Sequence, residues 1–373
     1  MRLNYSAGER RRCRLAFAFA LGLFAWTLGV TSVARSGEYT LFGAYSGAEN
    51  GALDLSMVRP MNRWQEKRVG ILNLYGSSGA SVAAMEEAWT HHGAVPMLSF
   101  HPPYSSSAVA RGDFDNSIFA PLIAQVKAFL AGPDGSLDTP DDRRAYLRYA
   151  WEANFENYPY SPCNQRYGES PDSFRRAWRH VHSLFSAAGI GRTRLAWVFS
   201  VLNGDSCSKG APEKLYPGGR FVDWLGIDAY ASCGNLDVRA LLDPMRIRLE
   251  AIDRSKPIGV NEFGVSSFEG VSAKNRVIAD YWGYLRFGGL RMSLWFNTDK
   301  GMSMSCAQFE KPWAAFGTTH GDSDYVYCAD SSCVDRQEYR GFSAYRRGVR
   351  RDWVRGSSNK LPRYLSTRRF LGR

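Results

Sequence analysis

From residue 36 onward, short unbroken apolar runs alternate with longer stretches in which apolar residues recur every three or four positions. Eight runs read as strands: Leu41–Tyr45, Val69–Leu74, Ala94–Phe100, Arg148–Trp151, Arg194–Ser200, Trp224–Ile227, Ile258–Asn261 and Met292–Phe296. They are rich in Val, Ile, Leu and aromatic residues without strict polar alternation, the pattern of parallel strands covered on both faces. Helical spacing fills Val82–His91, Ser117–Leu130, Ser173–Ala188, Val238–Asp253 and Ala273–Phe287. Strand–helix alternation over eight units predicts an α/β fold, a (β/α)8 TIM barrel. The chain of 373 residues is long enough for one, since such barrels need roughly 250 residues. No G-x-G-x-x-G or phosphate loop occurs, which argues against a nucleotide-binding open sheet.

Two features interrupt the pattern. Thr139-Pro140-Asp141-Asp142 has the Thr cap, first-turn Pro and acidic third residue of a helix start. Thr298–Cys333 has weak periodicity and reads as a long loop after the eighth strand, stapled by Cys328 and Cys333. The resulting division is a leader over residues 1–35, a barrel over 36–350 and a basic C-terminal tail over 351–373.

Charge separates these parts. The net charge is +11, of which +5 lies in residues 1–35 and +9 in residues 335–373, leaving −3 for the body between. A nearly neutral body argues against nucleic acid as the partner. In the leader, Arg10, Arg11, Arg12 and Arg14 precede the uncharged stretch Leu15–Val33, and Ser32-Val33-Ala34 resembles a cleavage site. This predicts an export signal, with membrane anchoring through residues 15–33 as the alternative to cleavage, and an extracellular or periplasmic body. Six cysteines follow the leader, at 163, 207, 233, 306, 328 and 333. An even number in an exported chain predicts disulfides, with fifteen connectivities open, and the absence of C-x-x-C spacing argues against zinc. The C-terminal arginines read as a solvated face or as an attraction to acidic polysaccharide or lipid.

The candidate chemistry rests on two glutamates. Glu152 follows the fourth predicted strand, with Asn154 two residues on, and Glu262 follows the seventh. Carboxylates at the C-terminal ends of barrel strands are where active sites are built. A pair of them is what glycosidic bond cleavage requires, one as acid and one as nucleophile or base. Eleven Trp, nineteen Tyr and twenty-one Phe include enough flat rings to line a sugar cleft as well as fill the core.

Six motifs in order resemble glycoside hydrolase family 26, the family of many endo-β-1,4-mannanases, over most of residues 40–300. Arg148-Tyr-Ala-Trp-Glu152-Ala-Asn154 is similar to the family's acid/base segment, with Asn157-Tyr158-Pro159-Tyr160 as its aromatic continuation. Lys256-Pro-Ile-Gly-Val-Asn-Glu262-Phe-Gly264 is similar to the nucleophile strand. Leu98-Ser-Phe-His101-Pro102, Asp223-Trp-Leu-Gly-Ile-Asp-Ala-Tyr230 and Leu294-Trp295-Phe-Asn297 are similar to the third, sixth and eighth strands. The chain departs from the family at Trp151, where His is usual, and at Phe155, where Gly is common.

The resemblance implies Glu152 as acid/base and Glu262 as nucleophile of a retaining endo-glycanase. It places His101, Arg148, Trp151, Asn154, Tyr158, Tyr230 and Trp295 around the substrate. The expected substrate is a β-linked polysaccharide, mannan-like first, with xylan, mixed-linkage glucan or an exopolysaccharide as alternatives. A non-catalytic glycan-binding barrel is the rival of a different class. No cofactor or metal is implied, and a monomer is expected.

Overall fold

The computed structural model describes residues 39–47, 55–56, 58–76, 79–231, 235–265, 271–298, 343–357 and 366–373. The leader, four of the six cysteines and the loop after the eighth strand lie outside these residues.

Eight parallel strands form the sheet: β1 (Thr40–Gly47), β2 (Ile71–Gly76), β3 (Val95–Phe100), β4 (Ala145–Tyr149), β5 (Leu195–Leu202), β6 (Trp224–Ala231), β7 (Ile258–Val265) and β8 (Met292–Thr298). They pair in sequence order, and β1 pairs with both β8 and β2, so the sheet closes. The expected barrel is therefore present. The main outer helices are α1 (Val58–Gln65), α2 (Gly79–Thr90), α4 (Ala120–Leu130), α5 (Pro171–Ala187), α7 (Val238–Ile252) and α8 (Val271–Phe287), with short α3 (Ser106–Ala110) and α6 (Pro212–Leu215) between. The best-defined start is that of α5, where Ser170 and Ser173 form a reciprocal capping box ahead of Pro171.

Period-two alternation decides which side chains enter the barrel. On β4, Tyr146 and Arg148 point inward, whereas Tyr149 packs outward on Trp178 of α5, ring centres 5.4 Å apart. On β8, Phe296 points inward to stack on Tyr45, while Trp295 faces Tyr281 of α8 and the ring of Tyr345.

Two expectations are corrected. Thr139–Asp142 forms turns and no helix. Arg194 pairs with Asp142, and β4 starts at Ala145 to match the register of β3 and β5, which leaves no room for one. The segment read as a basic tail, residues 351–373, also packs on the barrel, continuing from a helix inside the segment 36–350. Helix α9 (Ser343–Val349) packs on α8, β9 (Val354–Arg355) extends the sheet beside β1, and α10 (Thr367–Phe370) covers the N-terminal end of the strands. Phe370 is fully buried beneath Tyr146, and its carbonyl accepts from the Tyr146 hydroxyl (3.2 Å) and the Trp224 indole (2.9 Å). A run of arginines hid these apolar anchors, because side chains spaced between charges still bury their rings once the backbone turns them inward.

Candidate active site

At the C-terminal mouth, three strands deliver four charged groups to one point. Arg148 from β4 is completely buried, as is Asp228 from β6; Glu262 from β7 and Glu152, three residues past β4, are almost so. The Arg148 guanidinium shares one nitrogen between both Asp228 oxygens at 3.1 Å and gives the other to Glu262 Oε1. Its Nε donates to Ser99 Oγ (2.8 Å) and its second terminal nitrogen also reaches the Tyr75 hydroxyl (3.2 Å). Burial alone disfavours a charged guanidinium, but Asp228 and Glu262 outweigh it and push the Arg148 pKa well up. Arg148 is therefore a fixed cation.

Burial pushes Asp228 well above the usual carboxylate range, opposed by Arg148 and by the Ser200 hydroxyl donating to Oδ1 at 2.9 Å. Glu262 receives the Tyr230 phenol on Oε2, and Glu152 receives that of Tyr158 on Oε2 at 3.1 Å. Burial first and the neighbouring glutamates second raise both phenols well above 10.0, so both keep their protons and act as donors. One oxygen each of Glu152, Asp228 and Glu262 lie within 4.8 Å of one another, the one such trio among the described residues. It is close enough to hold a divalent ion, but Arg148 already supplies positive charge to two of its members.

The backbone around Glu152 is strained. Ala150 and Glu152 have φ of 45° and 52°, left-handed values that cost non-glycine residues roughly 1 kcal/mol or more each. Surrounding bonds hold this turn in place: Glu152 N to Ser200 O at 2.9 Å, Tyr160 Oη to Trp151 O at 2.8 Å, and Ser161 Oγ to Ala153 O at 2.7 Å. The Cys163–Cys207 disulfide links the loops after β4 and β5 immediately beyond it. Three of the fifteen open connectivities contain this bond.

The structure groups most of the expected site residues. Trp151 stacks edge-on against Tyr75 and His101, with ring centres 5.3 and 5.1 Å away, and the Arg148 guanidinium lies over its face. His101 approaches Tyr158 at 6.3 Å, and burial lowers its pKa below 6.5. Two residues take other positions. Trp295 is buried in the strand–helix layer beside Phe263 and Tyr345, on the outer face of β8. The inward neighbour, Phe296, joins Tyr45, Tyr75 and Tyr230 to make the aromatic wall. Asn154 is also turned from the mouth: its amide donates to Leu202 O (2.8 Å) and Gly204 O (2.9 Å) and accepts from Leu202 N (2.9 Å). It ties the strained turn to β5. Tyr45, Tyr75 and Phe296 were signalled in the sequence only by their place at strand C-termini, and Asp228 by its place two residues before Tyr230.

This barrel, with paired glutamates at its mouth, has counterparts among known proteins. No family model matches the chain. Endoglucanase H of Acetivibrio thermocellus is 23% identical over 223 residues, 58% of this chain and 23% of that protein. The chain thus spans about a quarter of the length of the curated relative it matches. Among solved structures, the catalytic domain of a family 26 endo-β-1,4-mannanase from Bacillus sp. JAMB-750 superposes with a TM-score of 0.56 at 15% identity, over 86% of this chain and 88% of that one. A family 26 β-mannanase from Bacteroides ovatus gives 0.52 at 16% identity, over 88% and 93%. A modular endo-β-1,4-mannanase from Cellulomonas fimi gives 0.55 at 15%, over 88% and 74%. The protein has the barrel fold of the family 26 β-mannanases, in agreement with the family that its motifs resemble.

Proposed function

We propose that this protein is a retaining, endo-acting glycoside hydrolase that cleaves a β-linked polysaccharide, with β-1,4-mannan as the first substrate. The observation that carries the reading is the approach of one carboxyl oxygen each of Glu152 and Glu262 to within 4.8 Å at the barrel mouth. Retaining enzymes hold their carboxyl groups about 5–5.5 Å apart for direct attack, whereas inverting enzymes leave a wider gap for water. Glu262, gripped by Arg148 and Tyr230, is the nucleophile that attacks the anomeric carbon. Glu152, beneath Tyr158 and beside Trp151, gives its proton to the leaving glycosidic oxygen. In the second step Glu152 takes a proton from water, which attacks the same carbon and releases Glu262. Carboxylates and water complete both steps. Tyr75, Trp151, Tyr158 and Phe296 supply ring faces on which a pyranose can stack.

The test uses a panel of mannan, xylan, mixed-linkage glucan and bacterial exopolysaccharide, followed by azide rescue. Glu262→Ala is expected to fall to background on every substrate. Glu152→Ala is expected to lose ~10²–10⁴-fold on polysaccharide but to spare activated aryl glycosides in the first step. Azide should rescue Glu152→Ala with retained configuration and Glu262→Ala with inverted configuration. The opposite pattern swaps the two roles. Wild type without turnover on any glycan, yet with measurable binding, would make the barrel a glycan-binding module.

A further inference from the structure

The end of the barrel opposite the mouth carries a feature that glycan hydrolysis does not use. Helix α1 and the turn after it present Arg59, Arg63 and Arg68; α9 and β9, nearly three hundred residues later, present Arg347, Arg351 and Arg355. All six are exposed, and among the described residues none has an ion-pair partner. The tertiary structure brings the two groups together. Glu66, at the end of α1, pairs with Arg346 and with Arg350 (3.0 Å). Trp64 stacks on Tyr345 with ring centres 5.8 Å apart. Lys67 Nζ donates to the carbonyls of Arg351 and Val354, both at 2.9 Å.

Two open recesses flank this seam. One, about 570 Å³, lies between α1 and the end of α2 and includes Arg59, Arg63, Arg68, His91 and His92. The other, about 650 Å³, lies between α8 and α9 and includes Arg286, Arg347 and Arg351. Next to Arg286 in sequence stands Phe287, 64% exposed, the most exposed large apolar side chain among the described residues. A buried body that needed only solubility would gain nothing from an unpaired arginine cluster with a bare phenyl ring beside it. Cations that neutralise headgroups, next to a ring that enters the interfacial layer, are the combination that binds anionic bilayers. A polyanion in solution would use the arginines and leave the ring exposed.

We propose that this basic face docks the protein on an anionic phospholipid bilayer, with the glutamate mouth facing away from the lipid. The barrel is entered on this same side, because β1 begins at Thr40 at the N-terminal end of the strands.

The test is partition of the full chain onto vesicles of phosphatidylcholine alone or with 30% phosphatidylglycerol as the chosen composition, at low and high salt. Hydrogen exchange in residues 58–68 and 343–357 is followed in parallel, to separate face docking from any insertion of the leader. Tighter partition to anionic vesicles, lost at high salt, is expected, with slowed exchange in both segments. Combined Arg63→Gln, Arg347→Gln and Arg351→Gln should weaken the anionic preference by ~100-fold, about fivefold per charge. Phe287→Ala should weaken vesicle binding and leave binding to soluble polygalacturonate unchanged. Equal partition and equal exchange on the two vesicle types would overturn the proposal. So would tighter binding to polygalacturonate than to anionic vesicles, which would make an acidic polysaccharide the partner.

Discussion

At the residue scale, the site is governed by one buried cation among three buried carboxylates. Arg148 is committed to Asp228 and Glu262, which leaves Glu152 as the glutamate outside that fork, as its proposed acid/base role requires. Two negative charges within 5 Å repel strongly where water is excluded, and one member of such a set holds a proton. The inward and outward faces of β8 provide a clean contrast in the ring wall. Phe296 is in contact with Tyr45 and Tyr230 at the mouth, whereas Trp295 is in the outer layer. Phe296→Ala is therefore expected to reduce kcat/KM on oligosaccharides about tenfold or more with little loss of Tm. Trp295→Ala should destabilise by about 3–5 kcal/mol, as large buried aromatics do, while the folded fraction keeps its KM. Steady-state kinetics alongside thermal unfolding decide it; a specific KM effect in Trp295→Ala would return that residue to the site.

At the scale of elements, the turn after β4 explains how a loop residue can be aimed as firmly as a strand residue. Its left-handed Ala150 and Glu152 are unfavourable on their own and are held by side chains reaching from Asn154, Tyr160 and Ser161 to main-chain groups. Asn154 contributes most of the tie to β5. Asn154→Ala leaves the Leu202 amide and two carbonyls without their partner, a cost of about 1–3 kcal/mol for a buried polar group. Because the strained turn is then less tightly held, kcat should fall more than KM rises. Urea unfolding and substrate titration measure the two effects, and unchanged kcat with normal stability would show that the turn needs no such tie.

At the scale of the molecule, the barrel is plugged from below by its own C-terminus. Phe370→Ala removes a fully buried ring under Tyr146 and Trp224, and should cost about 3–5 kcal/mol in chemical denaturation. Deleting residues after 365 should likewise prevent stable folding, an outcome that a solvated tail would not produce. One buried and two half-buried histidines set the acid side of stability. Burial lowers the pKa of His92, His101 and His182 below 6.5 in the folded state. The unfolded chain then binds more protons as pH falls through 6.5, so their contribution is complete above that pH and is lost below it. Tm is expected to fall between pH 7.5 and 5.5, and His92→Gln with His182→Gln should flatten the slope. A Tm that rises over that interval in the wild type would show these histidines to be charged in the fold.

How much of this was legible beforehand follows from the range of the forces involved. The eight strand runs, the alternation with helices and the two glutamates at strand ends are local patterns, because a strand buried on both faces and a carboxylate placed after it need only nearby residues to be recognised. The closed barrel followed from them. The ring of β8 that faces the mouth, Phe296, stands one position after the Trp295 that the motif singled out: a strand's inner and outer faces differ by a single residue, and only its pairing with β7 and β1 decides which is which. Asn154, two residues after Glu152 in sequence, was drawn away by the carbonyls of Leu202 and Gly204, which no neighbouring residue announces. Asp228 gained its part in the site from Arg148, 80 residues distant, and Phe370 its place in the core from a strand 224 residues away. The sequence by itself determined the elements, their order and the types of group at the strand ends. Tertiary structure alone decided which of those groups share a charge, which ring faces the cleft, and that two arginine-rich segments form one surface, since each depends on contacts between residues far apart in the chain.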